Sequence, residues 1–365
     1  MKEKLSPVRS TPFHLGYRPC LDGLRGVAIL MVLLDHAIPH TRGCYGFVGV
    51  DIFFVLSGFL ITSLLLEEWN QSGRISLRAF YARRALRLLP ALAAMLLAFL
   101  IYGAFAHTHR SFVLDIREAF TALLYSMNWA WAFDLGRITL LRHTWSLSIE
   151  EQFYFLWPAI LILMLRFAKS SSILNFLFLG IFGSCLARFL LPYGWAITPG
   201  RMLCGLDTRA DSLLLGCAIG VILFAGLLPG AAWVATGLRR GSVISVIGLA
   251  FISWRFLFFD PGMYNCGWIL VSVFTAVILL AVATESGGLL RPVLEAEVLV
   301  CTGRFSYSLY LWHDPVIRAT REHEDWSDWH KAAIYIPVTL LLAFGSYYLV
   351  ERPCLQLKRK FQKVT

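Results

Sequence analysis

The stretch from Leu21-Asp22-Gly23-Leu24-Arg25 to Asp35-His36 sets an arginine, an acid and an imidazole on an otherwise apolar segment. On a helix the step from Arg25 to His36 covers about three turns, roughly 16 Å, and returns to within about 20° of the same face. A face carrying ionisable groups needs a partner, a cavity or water, because lipid offers none of these. An imidazole near neutral pKa, oriented by a carboxylate, is the usual base for taking a proton from a hydroxyl. His36 is thus the candidate base and Arg25 its companion, with Asp35 assigned by adjacency alone. The plain alternative for any one membrane histidine is a hydrogen-bonded structural residue.

Further groups of this kind recur along the chain. Asp51 lies near the start of the apolar stretch that follows Gly46 and is taken as a substrate- or donor-binding residue. His143 to Tyr154 carries Glu150 and Glu151, and neighbours on a helix differ by about 100°. One of those carboxylates is expected to face the bundle and the other a cap or the interface. His313 and Asp314 sit in Tyr307–Pro315, and His313 is taken as a binding residue. His14, His40, His107, His109, His143, His323 and His330 fall in loops or at ends and read as structural. Arg84 and Arg87, three apart, make one guanidinium face that suits phosphate. From physics alone a topology anchor is the favoured alternative for them, and both roles are compatible.

What must hold these residues is a membrane bundle. The chain has 365 residues, 58% hydrophobic and 15% charged, which argues against a set of soluble domains. Apolar stretches recur near 21–39, 46–66, 88–106, 112–133, 149–167, 173–192, 211–229, 241–258, 267–284, 300–318 and 332–350. The weakest, 112–133, carries Asp115, Arg117, Glu118 and Asn128 and reads as an interfacial or re-entrant segment. Leaving it out gives about ten transmembrane helices in an all-α polytopic bundle. Both termini then lie in the cytoplasm, with Arg74 to Arg87 and the tail Lys358-Arg359-Lys360 on the positive side. The expected layout is a tail over 1–19, a membrane domain over 20–353 and a basic tail over 354–365. The first apolar run has no small-residue cleavage site and reads as a retained helix. Breaks are expected at Pro158, Pro315 and Pro337. Small residues in Gly46–Gly58 and Gly216–Gly226 allow close helix packing.

The net charge of +10 comes without a nucleic-acid motif, so membrane topology accounts for much of it and no nucleic-acid partner is expected. The eight cysteines are scattered without a C-x-x-C pair, so neither a zinc site nor a disulfide framework is expected.

Together these stretches resemble the acyltransferase-3 family of integral membrane proteins. The resemblance rests on Leu-Asp-Gly-Leu-Arg (21–25) with its spacing to His36, Gly-Phe-Val-Gly-Val-Asp-Ile-Phe-Phe-Val-Leu-Ser-Gly-Phe-Leu-Ile-Thr (46–62) and the Arg-x-x-Arg of Arg84 and Arg87. It continues through Thr-Trp-Ser-Leu-Ser-Ile-Glu-Glu-Gln-Phe-Tyr (144–154), Asp-Thr-Arg-Ala-Asp-Ser-Leu-Leu-Leu-Gly (207–216), Phe-Ser-Tyr-Ser-Leu-Tyr-Leu-Trp-His (305–313) and Val-Glu-Arg-Pro (350–353). Any one of these is weak, and seven in order are strong.

The resemblance implies transfer of an acyl group, commonly acetyl, from a cytoplasmic acyl-CoA to a hydroxyl of a cell-surface glycan or glycolipid. Acyl-CoA is then a co-substrate, and no permanently bound cofactor or metal is implied. Arg25 and His36 become the central pair, with Arg84 and Arg87 holding the donor phosphates and Asp35 or Glu150 balancing His36. Some relatives carry an esterase-like domain after the membrane part, and here self-contained transfer or a separate partner is expected. The expected location is the inner (plasma) membrane. A transporter or flippase is the competing class, since ten spans with midplane charges also describe a carrier. A membrane anchor for another glycan enzyme is the third.

Overall fold

The computed structural model describes residues 13–37, 44–106, 109–136, 138, 140–194, 198–257, 260, 262–321 and 326–358. His40, His107, His323 and the tail segments 1–12 and 359–365 lie outside them. Among the described residues every regular element is helical. In order these are α1 (Pro19–Ala37), α2 (Tyr45–Ser72), α3 (Leu77–Ala106), α4 (His109–Leu123), α5 (Met127–Ala132), α6 (Trp145–Phe167), α7 (Ser170–Gly194) and α8 (Pro199–Cys204). There follow α9 (Leu206–Phe224), α10 (Ala232–Arg255), α11 (Trp268–Ala283), α12 (Leu290–Leu294), α13 (Glu297–Arg304), α14 (Ser306–Arg321), α15 (Asp328–Ser346) and α16 (Arg352–Lys358). A single turn of wider pitch joins α15 to α16.

Among the described residues six helical spans are long and apolar enough to cross a bilayer, fewer than the ten expected from the apolar runs: Tyr45–Ser72, Leu77–Ala106, Arg142–Phe167, Ser170–Leu191, Ala232–Arg255 and Asp328–Leu357. The shortfall has a physical pattern. α1 carries Asp22, Arg25 and Asp35, and α9 carries Asp207, Arg209 and Asp211. Helix α14 is short and holds His313, Asp314, Arg318 and Arg321. Of the four expected spans that fall short, α1, α9 and α14 bring charge into the bundle, whereas α11 is apolar throughout and falls short in length.

Close packing is built on glycine. A Cβ at Gly58 of α2 would run into the Leu213 carbonyl of α9, and one at Gly216 into the Val55 carbonyl. The two backbones therefore touch at these positions, as the small-residue stretches predicted. The prolines behave differently from expectation. Pro158, Pro315 and Pro337 lie inside α6, α14 and α15, and the helices run on through them. Neighbouring groups in a packed bundle can satisfy the carbonyl that a proline frees, which removes the need for a break.

Residues 112–133 form two short helices joined by a turn at Tyr125, whose φ of +50° lies in the left-handed region. Val113, Ile116, Phe120 and Leu123 are exposed along one stripe of α4, while Asp115, Glu118, Ala119 and Ala122 are buried along the other. Glu118 accepts the Leu141 N–H at 2.7 Å, which ties the descending helix to the chain that returns. The Tyr125 carbonyl accepts Gln152 Nε2 of α6 at 2.8 Å. That bond fixes the tip of the hairpin beside the site.

Candidate active site

Two cavities lie back to back along α1. The first, of 150 Å³, is lined by Arg25, Ser57, Arg84, Arg87, Glu150 and Glu151 among others. The second, of 80 Å³, is lined by His36, Arg142, His143, His313, Asp314 and Arg318 among others. Val50 and Tyr310 line both and so form the wall between them. Tyr310 is held there by two hydrogen bonds. Its hydroxyl donates to the His143 carbonyl at 2.8 Å and pairs with Ser146 Oγ at 2.6 Å.

The helical spacing read from the sequence holds. Arg25 and His36 both face α14: Arg25 Nη2 donates to Ser306 Oγ at 3.1 Å, and the His36 ring meets the His313 ring edge-on at 5.0 Å. Arg25 opens on the arginine cavity and His36 on the histidine cavity.

In the arginine cavity the committed pair is Arg84 and Glu151. Arg84 Nε lies 3.0 Å from both Glu151 oxygens, Nη2 lies 2.5 Å from Oε1, and the guanidinium stacks on Tyr154 at 3.3 Å. Glu150 accepts Ser57 Oγ at 2.5 Å. The two adjacent carboxylates do diverge, one to α2 and the other to α3, yet both line the cavity because it wraps around that side of α6. Neither faces a cap. Arg87 makes no hydrogen bond or ion pair with another described residue, so of the two arginines given to phosphate it is the uncommitted one.

The histidine cavity is organised by Asp314. Its Oδ2 accepts Arg318 Nε at 2.6 Å and lies 3.3 Å from His143 Nδ1, and its Oδ1 lies 3.8 Å from His36 Nε2. His143 is buried and stands 5.3 Å, ring to ring, from His313. His36 retains 26% side-chain exposure, the outlet of the cluster. The ligand atoms of His36, His313 and Asp314 all lie within 4.8 Å of one another, a grouping with metal-binding potential.

Three sequence assignments land elsewhere. Asp35 lines neither cavity; it accepts the Gly46 N–H at the start of α2, because one residue along a helix turns it away from His36. Asp51 is fully buried in an ion pair with Arg209 of α9, 2.5 Å apart, and is absent from both linings. His313 belongs with His36 and not with the arginines. Sequence reasoning missed Asp314 as a site residue and set His143 aside as a loop histidine. The i,i+4 pairing of Asp314 with Arg318 was the one local signal for the former.

An arginine-lined and a histidine-lined cavity meeting along one helix suit group transfer between two substrates. The family comparison agrees: the acyltransferase-domain model matches residues 18–348, and the chain belongs to this acyltransferase-3 family. Among its relatives are the peptidoglycan O-acetyltransferase OatA of Listeria monocytogenes, 32% identical over 364 residues and 94% of this chain. A Bacillus subtilis protein carried as a candidate peptidoglycan O-acetyltransferase, YrhL, is 33% identical over 357 residues and 93% of the chain. A Staphylococcus aureus protein carried as a candidate O-acetyltransferase is 33% identical over 358 residues and 92% of the chain. The alignments cover only 57%, 55% and 57% of those relatives, so the chain spans little more than half their length. No solved structure matches the chain.

Proposed function

We propose that the protein is a plasma-membrane O-acetyltransferase that moves an acetyl group from acetyl-CoA to a hydroxyl of a cell-envelope glycan, with peptidoglycan the leading acceptor class. The observation that carries this is the shared wall of Val50 and Tyr310 between the arginine and histidine cavities. In this scheme about ten helices cross the membrane, both termini are cytoplasmic, and the arginine cavity opens inward.

Arg87 and Arg25 receive the donor's phosphates and polarised carbonyl. A volume of 150 Å³ is well below the roughly 300–1,000 Å³ of pockets that enclose a whole ligand. The cavity therefore takes the thin acyl-pantetheine arm, and the nucleotide stays at the mouth. Arg84, tied to Glu151 and Tyr154, shapes the entrance. His36 Nε2 takes the proton from the acceptor hydroxyl, and Asp314 balances the imidazolium in the place expected of Asp35 or Glu150. The hydroxyl oxygen bonds to the acyl carbon as the C–S bond breaks, and CoA leaves as the thiolate and is reprotonated.

Replacing Arg87 with Glu should raise the apparent KM for acetyl-CoA about 10–100-fold, the worth of one charge-assisted hydrogen bond, with a smaller change in kcat. An unchanged KM in steady-state assays removes Arg87 from the donor site.

The function itself is tested by comparing envelope glycans of a deletion strain and its parent by NMR and mass spectrometry. The expected result is the loss of one ester-linked acetyl group, restored by the wild-type gene. Intact esters with a glycan stranded inside the cell would instead identify a flippase, and restoration by a His36→Ala copy would identify an anchor.

A further inference from the structure

The three groups that meet in the histidine cavity all present electron pairs. His36 Nδ1 lies 2.9 Å from the Val32 carbonyl and His313 Nδ1 lies 2.6 Å from the Tyr310 carbonyl. A ring nitrogen facing a carbonyl oxygen must carry the proton, so in each neutral ring Nε2 holds the free lone pair. His313 Nε2 and Asp314 Oδ1 are buried and have no hydrogen-bond partner among the described residues. His36 Nε2 stands 3.8 Å from that same Oδ1. Three acceptors facing one another, two of them sealed from water, repel unless a proton or a cation sits among them.

We propose that His36 Nε2, His313 Nε2 and Asp314 Oδ1 bind one divalent transition metal ion, with zinc as the preferred class, and that its binding switches transfer off. Two imidazoles and one carboxylate with a fourth position open to the cavity is a ligand set characteristic of zinc. Magnesium and calcium prefer a cage of oxygens, which this cluster does not offer. The supporting contacts are those that metal-binding histidines use. Each ring is fixed through its other nitrogen by a backbone carbonyl, and Asp314 is held by Arg318 and flanked by His143 on its remaining oxygen.

The ligand atoms of a tetrahedral zinc stand roughly 3.3 Å apart, given bonds of about 2.0–2.1 Å. The present separations, all within 4.8 Å, close to that with side-chain shifts of about 1 Å. His36, on the last turn of α1 and partly exposed, has room to make the largest of them.

The binding half of this proposal stands on geometry alone. The inhibitory half rests on His36 as the base, because a lone pair given to zinc is no longer available to the acceptor hydroxyl.

The test uses the full chain in detergent, stripped with a chelator and titrated with cobalt(II) as the optical probe for a tetrahedral site. One cobalt per chain should bind with visible d–d bands, and equimolar zinc should displace it. His313→Gln and Asp314→Asn should each weaken binding by more than the 10–100-fold that loss of a supporting contact costs. Thermal unfolding checks each variant, and failure of one to fold leaves the other and the wild-type spectrum to decide. No saturable tetrahedral spectrum, or equal binding by a folded variant, overturns the site. Zinc should also abolish acetyl transfer reversibly. Stoichiometric binding without inhibition would overturn the switch and with it the role of His36 as base, while inhibition-free transfer without any binding would leave that role intact.

Discussion

Alanine at position 36 should lower the rate of acetyl transfer by about 10²–10⁴-fold, the usual contribution of a positioned general base, while the variant remains folded in the membrane. The fold should survive because His36 sits on the last turn of α1 with about a quarter of its side chain exposed, and its one hydrogen bond is to a carbonyl of its own helix. The loss should fall on kcat more than on the donor KM, since Arg25 and Arg87 belong to the other cavity. Asp35→Asn is the matched control. Its carboxylate faces Gly46, so its effect on turnover should be far smaller, although it sits one residue from the base. Steady-state release of CoA, with membrane-fraction immunoblots, reads both variants. Activity in His36→Ala above a tenth of the wild-type rate would remove the base.

That contrast marks where local reasoning succeeds. The common face of Arg25 and His36 follows from helix geometry, which needs no tertiary information, and both residues do face α14. The same rule separates neighbours by about 100°, and it should have told against Asp35 as the partner of His36. It did predict that Glu150 and Glu151 part company. It could not show that a cavity would reach both, because that depends on how α2 and α3 approach α6. Asp314 and His143 are far apart in sequence and meet only through packing of α14 against the start of α6. Nothing local signals such an approach. That 112–133 differs from the other apolar runs was legible for the opposite reason: Asp115 and Glu118 are too polar for a lipid-facing span, and the chain buries them on one stripe. The difference between ten expected and six found spans has a related origin. Apolar length is a good guide to lipid-facing helices and a poor one to helices such as α1 and α9, whose charges are satisfied inside.

Asp51 provides the second large effect, on stability. Asp51→Ala should cost about 3–5 kcal/mol, because it strands the Arg209 guanidinium as an unpaired charge in a fully buried position. Arg209 stacks on Trp268 at 4.2 Å, and two of its nitrogens already have no hydrogen-bond partner among the described residues, so the Asp51 carboxylate is the group that balances it. Ser212 completes the cluster, bonding Asp51 at 3.1 Å and Ser272 at 2.7 Å. Removing both charges at once has a different sign of consequence. A buried pair replaced by apolar residues of similar volume is often neutral or stabilising, so Asp51→Leu with Arg209→Met should regain most of the lost stability. Thermal unfolding in detergent measures this, and acetyl-transfer assays on the same samples separate the two roles the sequence left open for Asp51. If the residue only joins α2 to α9, the double variant recovers folding and donor KM together. A double variant that folds normally but binds acetyl-CoA poorly would return Asp51 to the donor site, despite its absence from the cavity wall.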